Sequence, residues 1–322
     1  MTQNTVGVDV GGTKVAVGLV DAQGKILTSL RKPMVATGDA YEGLASVTGA
    51  IDALLAANPE AAASIRGVGI CAPGPLDPFT GVVVNPPNLK CWRNFPLGEE
   101  IAKRYRVPVK VDNDANAAAL AEFLWGAGRG YKVVFYATIG TGIGTGIIFD
   151  GKIYHGRTGA AAEGGHVSID YRGPVCGCGK NGCVEILAAG PAIARRARAK
   201  FVERPDRESA LRQLSGGNVE AISSEMVGHA AVAGDAVAQE VLNETVNLLG
   251  LWLSNIVDFL EPDVLVIGGG VATMLSPYFG DLRNRIAHHA VNSRSLEIPL
   301  LHAHYGAESG IAGGAALGSS FA

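Results

Sequence analysis

Short apolar runs separated by glycine-rich turns open this chain, and longer helical patterns follow. Residues 6–10 and 15–20 read as strands joined by Gly11-Gly12-Thr13-Lys14, and a turn at 21–25 leads to a third strand at 26–31. Together they predict a β-meander with a glycine turn at its first corner. An amphipathic helix is expected at 41–57, ended near Asn58-Pro59. A buried strand at 65–71 stops at Ala72-Pro73-Gly74-Pro75. A helix at 97–105 and a strand at 107–111 come next. Asp112-Asn113-Asp114 then opens an alanine-rich helix at 115–125.

At residue 133 the pattern starts again. A strand at 133–139 runs into Gly140-Thr141-Gly142-Ile143-Gly144-Thr145-Gly146, followed by a strand at 147–149 and the turn Asp150-Gly151-Lys152. Gly12-Thr13 and Gly140-Thr141 stand 128 positions apart, each between strands and each followed by a charged turn with Gly-Lys-Ile. This reads as duplication of one α/β domain rather than a short-period solenoid. The plainer alternative is that Gly-Thr turns between strands recur by chance. Further on, helices are expected at 190–203, 234–260 and 276–290, with a polar loop or short helix at 204–218. Glu261-Pro262-Asp263 halts the long helix. A buried strand at 264–267 ends in Gly268-Gly269-Gly270, and a last strand is expected at 298–303. Two domains are expected, 1–125 and 126–322. The small-residue helix at 310–317 can pack very closely on a sheet, and it returns to the first domain in this reading.

Composition narrows the class. The 322 residues are 48% hydrophobic and 18% charged, as in an ordinary globular protein with enough chain for two cores. Glycine numbers 44, well above the usual ~7%, which marks tight turns and close backbone approach to ligands. A net charge of −3 provides no polyanion-binding surface, so nucleic acid is not an expected partner. No clean apolar span of about 18 residues is present, so no membrane helix is expected. The first residues, MTQNTVGVDVGG, lack a basic segment followed by an apolar one, so no signal peptide is expected. With an odd count of five cysteines, this argues for a reducing compartment, hence the cytoplasm. Cys71 and Cys91 are expected as buried thiols.

The densest chemistry lies between Glu163 and Glu185. His166, Cys176, Cys178 and Cys183 offer one imidazole and three thiols, the donor set of a closed tetrahedral zinc site. With all four positions filled by protein, such a site fixes a loop and does not activate water. Coordination at one ring nitrogen leaves the other free to donate a hydrogen bond. Glu163 and Glu185 bracket the cluster. They are either solvated loop acids or carboxylates presented, with the imidazole edge, to a polyol.

Two glycine hairpins one domain apart can grip a polyphosphate, because their N–H groups form anion-binding concavities. Thr13 and Thr141 add hydroxyls and Lys14 a charge, while Asp9 stands where it can hold Mg²⁺. The sequence is not a Walker A motif, and Asp9-Val10-Gly11-Gly12 alone also fits a plain tight hairpin. Asp112-Asn113-Asp114 sits between a strand and a helix. One reading is a helix cap; the other is a carboxylate that accepts a hydroxyl proton in phosphoryl transfer.

Taken together, these motifs resemble the ROK family, named for repressors, open reading frames and sugar kinases. Its most specific features here are Glu163-Gly-Gly-His166 followed by Cys176-x-Cys178-Gly-x-x-Gly-Cys183-x-Glu185. Asp112-Asn113-Asp114-Ala115-Asn116-Ala117 matches the family's catalytic junction, and Val266-Ile267-Gly268-Gly269-Gly270-Val271 its nucleotide-side turn. The resemblance implies the actin/Hsp70/hexokinase fold, ribonuclease H-like duplicated α/β domains with a nucleotide cleft between them. It implies ATP-dependent phosphorylation of a hexose at its 6-hydroxyl, with Asp114 as general base. Gly74, Asn88, Asn113, Glu163, His166 and Glu185 would bind sugar hydroxyls, and zinc would sit on His166, Cys176, Cys178 and Cys183. ATP phosphates would lie against Gly11, Gly12, Thr13 and Lys14 and against Gly140, Thr141 and Gly142, with adenosine near Gly268, Gly269 and Gly270. The segment from Asn85 to Trp92 looks most like glucokinase members, with glucose as substrate. N-acylhexosamine kinases, fructokinases and polyphosphate-using enzymes of the same fold are the alternatives. Family repressors carry a DNA-binding segment before the first hairpin, for which the residues ahead of Val6 leave no room. A homodimer is expected from the family's habit.

Overall fold

The computed structural model describes residues 4–204 and 207–320, so Pro205 and Asp206 of the expected polar stretch lie outside the described residues. The strands are β1 (Asn4–Val10), β2 (Lys14–Val20), β3 (Ile26–Pro33), β4 (Ile65–Ala72), β5 (Leu76–Asp77), β6 (Val82–Val83), β7 (Val109–Asn113), β8 (Val133–Ile139), β9 (Ile143–Phe149), β10 (Lys152–Ile153), β11 (Val264–Gly268) and β12 (Leu300–His302). One sheet has the order β3-β2-β1-β4-β7 and the other β10-β9-β8-β11-β12, while β5 and β6 pair by themselves. In the first sheet β3, β2 and β1 run antiparallel, and β4 and β7 join parallel. The second repeats the plan, with β10 antiparallel to β9 and β12 parallel to β11. This shared strand order is what duplication of one unit produces.

Burial explains the pattern. β1, β2 and β4 are buried on both faces and read as near-continuous apolar runs. β3 is an edge strand that alternates, carries Arg31 and Lys32, and ends in Pro33, which blunts further pairing. Trp92 is fully buried, stacks on Phe95 at 5.6 Å, and donates its indole N–H to the Ala40 carbonyl at 3.0 Å. Cys71 and Cys91 are buried free thiols, as expected.

The chain forms two compact units. The first comprises Met1–Tyr136, Gly146–Ala162 and Ala303–Ala322; the second comprises Ala137–Thr145 and Glu163–His302. In the first, the helix Ser309–Ser319 lies on β1 and β4 with backbone against backbone. A Cβ on Gly7 or Gly69 would run into the carbonyl oxygens of Ile311 and Gly314. Gly313 sits as closely on the helix Asp114–Trp125, where an added Cβ would meet the Ala117 carbonyl carbon at 2.7 Å. Glycine is needed here for proximity, not for an unusual φ.

Three local expectations change. The strand expected at 147–149 begins at Ile143. Gly144 and Gly146 read as loop in the sequence. Gly146 instead lets β9 approach the helix Asp114–Trp125, since an added Cβ would sit 2.8 Å from the Ala115 carbonyl oxygen. The strand expected at 107–111 runs Val109–Asn113, since Pro108 has no N–H for a ladder. The long helix starts at Ala236, not at 234. Gly234 has φ +88°, and the Asp235 side chain caps the helix by accepting from Ala238 N–H at 2.9 Å. A separate helix, Ser224–Val232, precedes it. Among the described residues no helix is long and apolar enough to cross a membrane.

Candidate active site

In the first unit the strand register assembles the site. Asp9 pairs with Cys71 and Cys71 with Asp112, so three neighbouring parallel strands bring these residues side by side at their C-terminal ends. That end is where open α/β sheets bind ligands. β1 then turns through Gly11, whose N–H donates to the Lys14 carbonyl at 2.9 Å, leaving Thr13 and Lys14 exposed. Gly12 lies against Asn88, whose carbonyl oxygen is 2.8 Å from where a Cβ would stand. Gly74 precedes Pro75 through a cis peptide and faces the Asn113 side-chain amide.

The three polar residues after β7 divide the work. Asp112 is almost fully buried; one oxygen accepts from Asn113 N–H at 2.7 Å and from the Asn116 amide at 3.1 Å, and the other meets His155 Nε2 at 2.6 Å. Asn113 is the cap of the helix Asp114–Trp125, accepting from Ala115 N–H at 2.9 Å. Asp114 is the first helical residue and takes the same N–H at 2.8 Å. Water reaches Asp114, yet the protein packed around it disfavours the charged form and raises its carboxyl, while the Ala115 N–H opposes that rise. A cap needs one such residue, and Asn113 supplies it. Asp114 is left as an accessible carboxylate of raised basicity.

Asp9 is pushed up to about 6, first by burial and then by the Asp114 charge, with Lys14 and Arg31 pulling the other way. Gly310, at the start of the last helix, leaves room for this carboxylate. Since the folded-state value lies above the ordinary 3.8, the group favours the fold fully below the unfolded value, and that contribution is lost as pH rises through about 6. Asp9→Asn is therefore expected to match the unmodified protein in stability near pH 4 and to exceed it above pH 7. At 1.36 kcal/mol per unit the gain is at most ~3 kcal/mol. Urea melts of both proteins across that range in metal-free buffer check this; a gap that does not change with pH refutes it.

In the second unit Gly140 N–H donates to the Gly142 carbonyl at 2.9 Å, and the Gly140 carbonyl accepts from Gly190 N–H at 2.8 Å. Gly140, Thr141 and Gly270 line a cavity of about 820 Å³, together with Gly190 and Ser224. Gly190, Ser224 and Gly270 are each the first residue of a helix, so three N-termini converge there with the glycine hairpin. Such an arrangement suits anionic phosphate, and the Val271, Met274 and Pro277 wall suits a flat apolar ring. Gly142, Gly268 and Gly269 do not line the cavity. Gly269, at φ +90°, packs on the Ile139 carbonyl and supports the turn instead.

The cysteine cluster lies beside this hairpin. The ligand atoms of His166, Cys176, Cys178 and Cys183 all fall within 4.8 Å of one another. His166 Nδ1 is 3.7 Å from Cys176 Sγ, and the Cys178 and Cys183 sulfurs are 3.5 Å apart. A tetrahedral zinc with ordinary bond lengths requires about 3.6 Å for the first pair and about 3.8 Å for the second, so the donor set fits. Burial, then the adjoining Cys178 and Cys176 sulfurs, push the Cys183 thiol up to about 12. A divalent cation among the sulfurs removes that resistance to ionisation. Glu185 follows two residues later. One oxygen accepts from Ile143 N–H at 2.8 Å, in the space a Cβ on Gly142 would need; the other is 3.9 Å from His166 Nδ1. Thr145 Oγ1 accepts from Gly164 N–H at 2.8 Å. Glu163 is exposed. The cysteine loop and the glycine hairpin are thus bonded into one piece.

Two contributions escape the sequence. The cavity wall from the helices Gly190–Glu203 and Ser224–Val232 carries no motif, although Ser223-Ser224-Glu225 is a legible helix start. His155 and His229 sit in no motif, yet they lie against Asp112 and on the cavity wall respectively.

Two five-stranded sheets of identical strand order, each with a glycine turn after its first strand, define the duplicated actin/hexokinase-like class. Within it, the chain belongs to the ROK family, whose model matches residues 5–320. It is 37% identical over 270 residues to a glucokinase of Streptomyces coelicolor, covering 83% of this chain and 82% of that one. The crystal structure of a ROK family glucokinase from Streptomyces griseus in complex with glucose and AMPPNP is 34% identical. It superposes with a TM-score of 0.81 over 98% of this chain and 99% of that one. A ROK hexokinase from Thermus thermophilus is 32% identical, with a TM-score of 0.80 over 99% and 98% of the two chains.

Proposed function

We propose that this chain is an ATP-dependent sugar kinase that phosphorylates glucose at its 6-hydroxyl. The observation that carries the reading is Asp114: an accessible carboxylate of raised basicity at a strand–helix junction, in a chain similar along nearly its whole length to a glucokinase solved with glucose and AMPPNP. A hydroxyl is a weak nucleophile, and a positioned carboxylate takes its proton as the phosphoryl group arrives. Gly74, Asn88, Asn113, Glu163, His166 and Glu185 are the proposed partners of the sugar hydroxyls. The hairpins at Gly11, Gly12, Thr13 and Lys14 and at Gly140, Thr141 and Gly142 are the proposed phosphate sites, through N–H groups other than those of Gly11 and Gly140, which close the turns themselves. The cavity beside Gly270 takes the nucleoside.

Asp9 would hold Mg²⁺, which neutralises phosphate charge when bound. His166, Cys176, Cys178 and Cys183 would hold structural zinc, which orders the loop from Gly164 to Val184. A homodimer in the cytoplasm, with no nucleic-acid or membrane partner, belongs to the same reading.

Initial rates on a panel of hexoses, with ATP or polyphosphate as donor, test it. Glucose with ATP is expected to exceed fructose and N-acetylmannosamine in kcat/KM by at least about a hundredfold, the scale on which a pocket discriminates one small group. A higher kcat/KM for another sugar or for polyphosphate replaces the assignment.

A further inference from the structure

We infer that His155 is a positioning residue for the catalytic junction. It holds Asp112, and through Asp112 the placement of Asp114. The inference deepens the kinase reading and rests on it. His155 follows β10, within the Gly146–Ala162 segment of the first unit. Its Nε2 meets Asp112 Oδ2 at 2.6 Å, the distance of a charge-assisted bond. The Asp112 side chain is 4% exposed, and its other oxygen already serves Asn113 N–H and the Asn116 amide. His155 is therefore the partner of the oxygen that would otherwise be left buried and unpaired.

The imidazole is itself held. Its ring lies edge-on to Phe79 at 5.6 Å, in the turn between β5 and β6. Asp77 ties that turn by accepting from Phe79 N–H at 2.9 Å and from the Thr80 hydroxyl at 2.7 Å. The His155 carbonyl accepts from Ala161 N–H at 3.2 Å, which closes the following loop. Gly159 packs that loop on Pro78, whose Cδ is 2.5 Å from where a Cβ would stand. Asp112 and Asp114 are two residues apart across the change from strand to helix, and Asn113 N–H is bonded to Asp112. A shift of Asp112 is therefore carried to Asp114 by two covalently linked peptides.

A purely structural His155 would matter for stability alone, and a double variant separates the two roles. His155→Phe keeps a ring against Phe79 and removes the bond. It is expected to lower kcat by roughly tenfold to a hundredfold, the scale of sub-ångström misplacement, with KM for ATP within about twofold. His155→Gln, which offers a side-chain N–H to Asp112, is expected to restore most of that kcat. Pairing His155→Phe with Asp112→Asn removes the unpaired charge, so the melting temperature recovers while kcat stays low. If kcat returns together with the melting temperature, or if His155→Phe alone turns over within twofold of the unmodified protein, the inference fails. Should His155→Phe not fold, the glutamine and double variants decide by the same two readouts. An unmodified protein that phosphorylates no hexose refutes the kinase reading itself, a different result from an active enzyme indifferent to His155.

Discussion

Asp114→Asn is expected to lower kcat for glucose by about three orders of magnitude, the middle of the range for a general base, and to leave the glucose Kd within a few-fold. The substitution keeps shape. The carboxamide oxygen can still accept from Ala115 N–H, and Asn113 continues to cap the helix. What disappears is the basic oxygen. The protein packed around this accessible carboxyl already raises it and so favours a neutral group there, and the variant is expected to melt no lower than the unmodified protein. Loss of turnover without loss of stability or sugar affinity is the signature of a group acting only in the transition state. Steady-state kinetics, glucose calorimetry and a thermal melt decide the matter. A kcat within tenfold of the unmodified protein places the base elsewhere.

Loss of the proposed zinc is expected to act more widely. Structural zinc in small domains contributes on the order of 10 kcal/mol to ordering its ligands, and here the ordered loop ends in Glu185. Cys183→Ser is expected to purify with well under one zinc per chain, against one for the unmodified protein. Limited proteolysis is expected to cut it between Gly164 and Val184. Because Glu185 accepts from Ile143 N–H and Thr145 from Gly164 N–H, the phosphate hairpin loosens with the loop. KM for ATP should therefore rise along with KM for glucose, by about tenfold or more, as losing a charged hydrogen bond implies. Metal analysis, proteolysis and kinetics read the three effects separately. Zinc-free protein that resists proteolysis and keeps both KM values shows that the thiols alone order the loop.

Much of the fold was written in local patterns. The valine runs of β1 and β2, the glycine turn between them and the echo of both at β8 and β9 identify a duplicated unit. The clustering of His166, Cys176, Cys178 and Cys183 was equally plain, since four donors within 18 residues leave few arrangements. Sequence could not separate the roles inside Asp112-Asn113-Asp114. Which carboxylate is buried depends on His155, 43 positions away from Asp112, and on the strand register. The start of β9 is not legible in the sequence because glycine disfavours strands locally, and the nearness of the helix Asp114–Trp125 shows why it is there. The second role of Glu185 was hidden for a similar reason: its Ile143 partner is remote in sequence and contributes only backbone.

The last helix carries a consequence for how the protein is made. Gly69 and Gly7 lie bare against Ile311 and Gly314, so the first sheet has a face on β1 and β4 that Ser309–Ser319 covers at backbone contact. About 170 residues must be translated between Tyr136 and that helix. At ordinary synthesis rates of about 5–20 residues per second, the nascent first unit waits roughly 10–35 s with this apolar surface uncovered. The second unit, whose longer piece ends at His302, is complete in sequence before its neighbour is. During synthesis the sequence of the second unit is therefore complete before the first sheet receives its last helix.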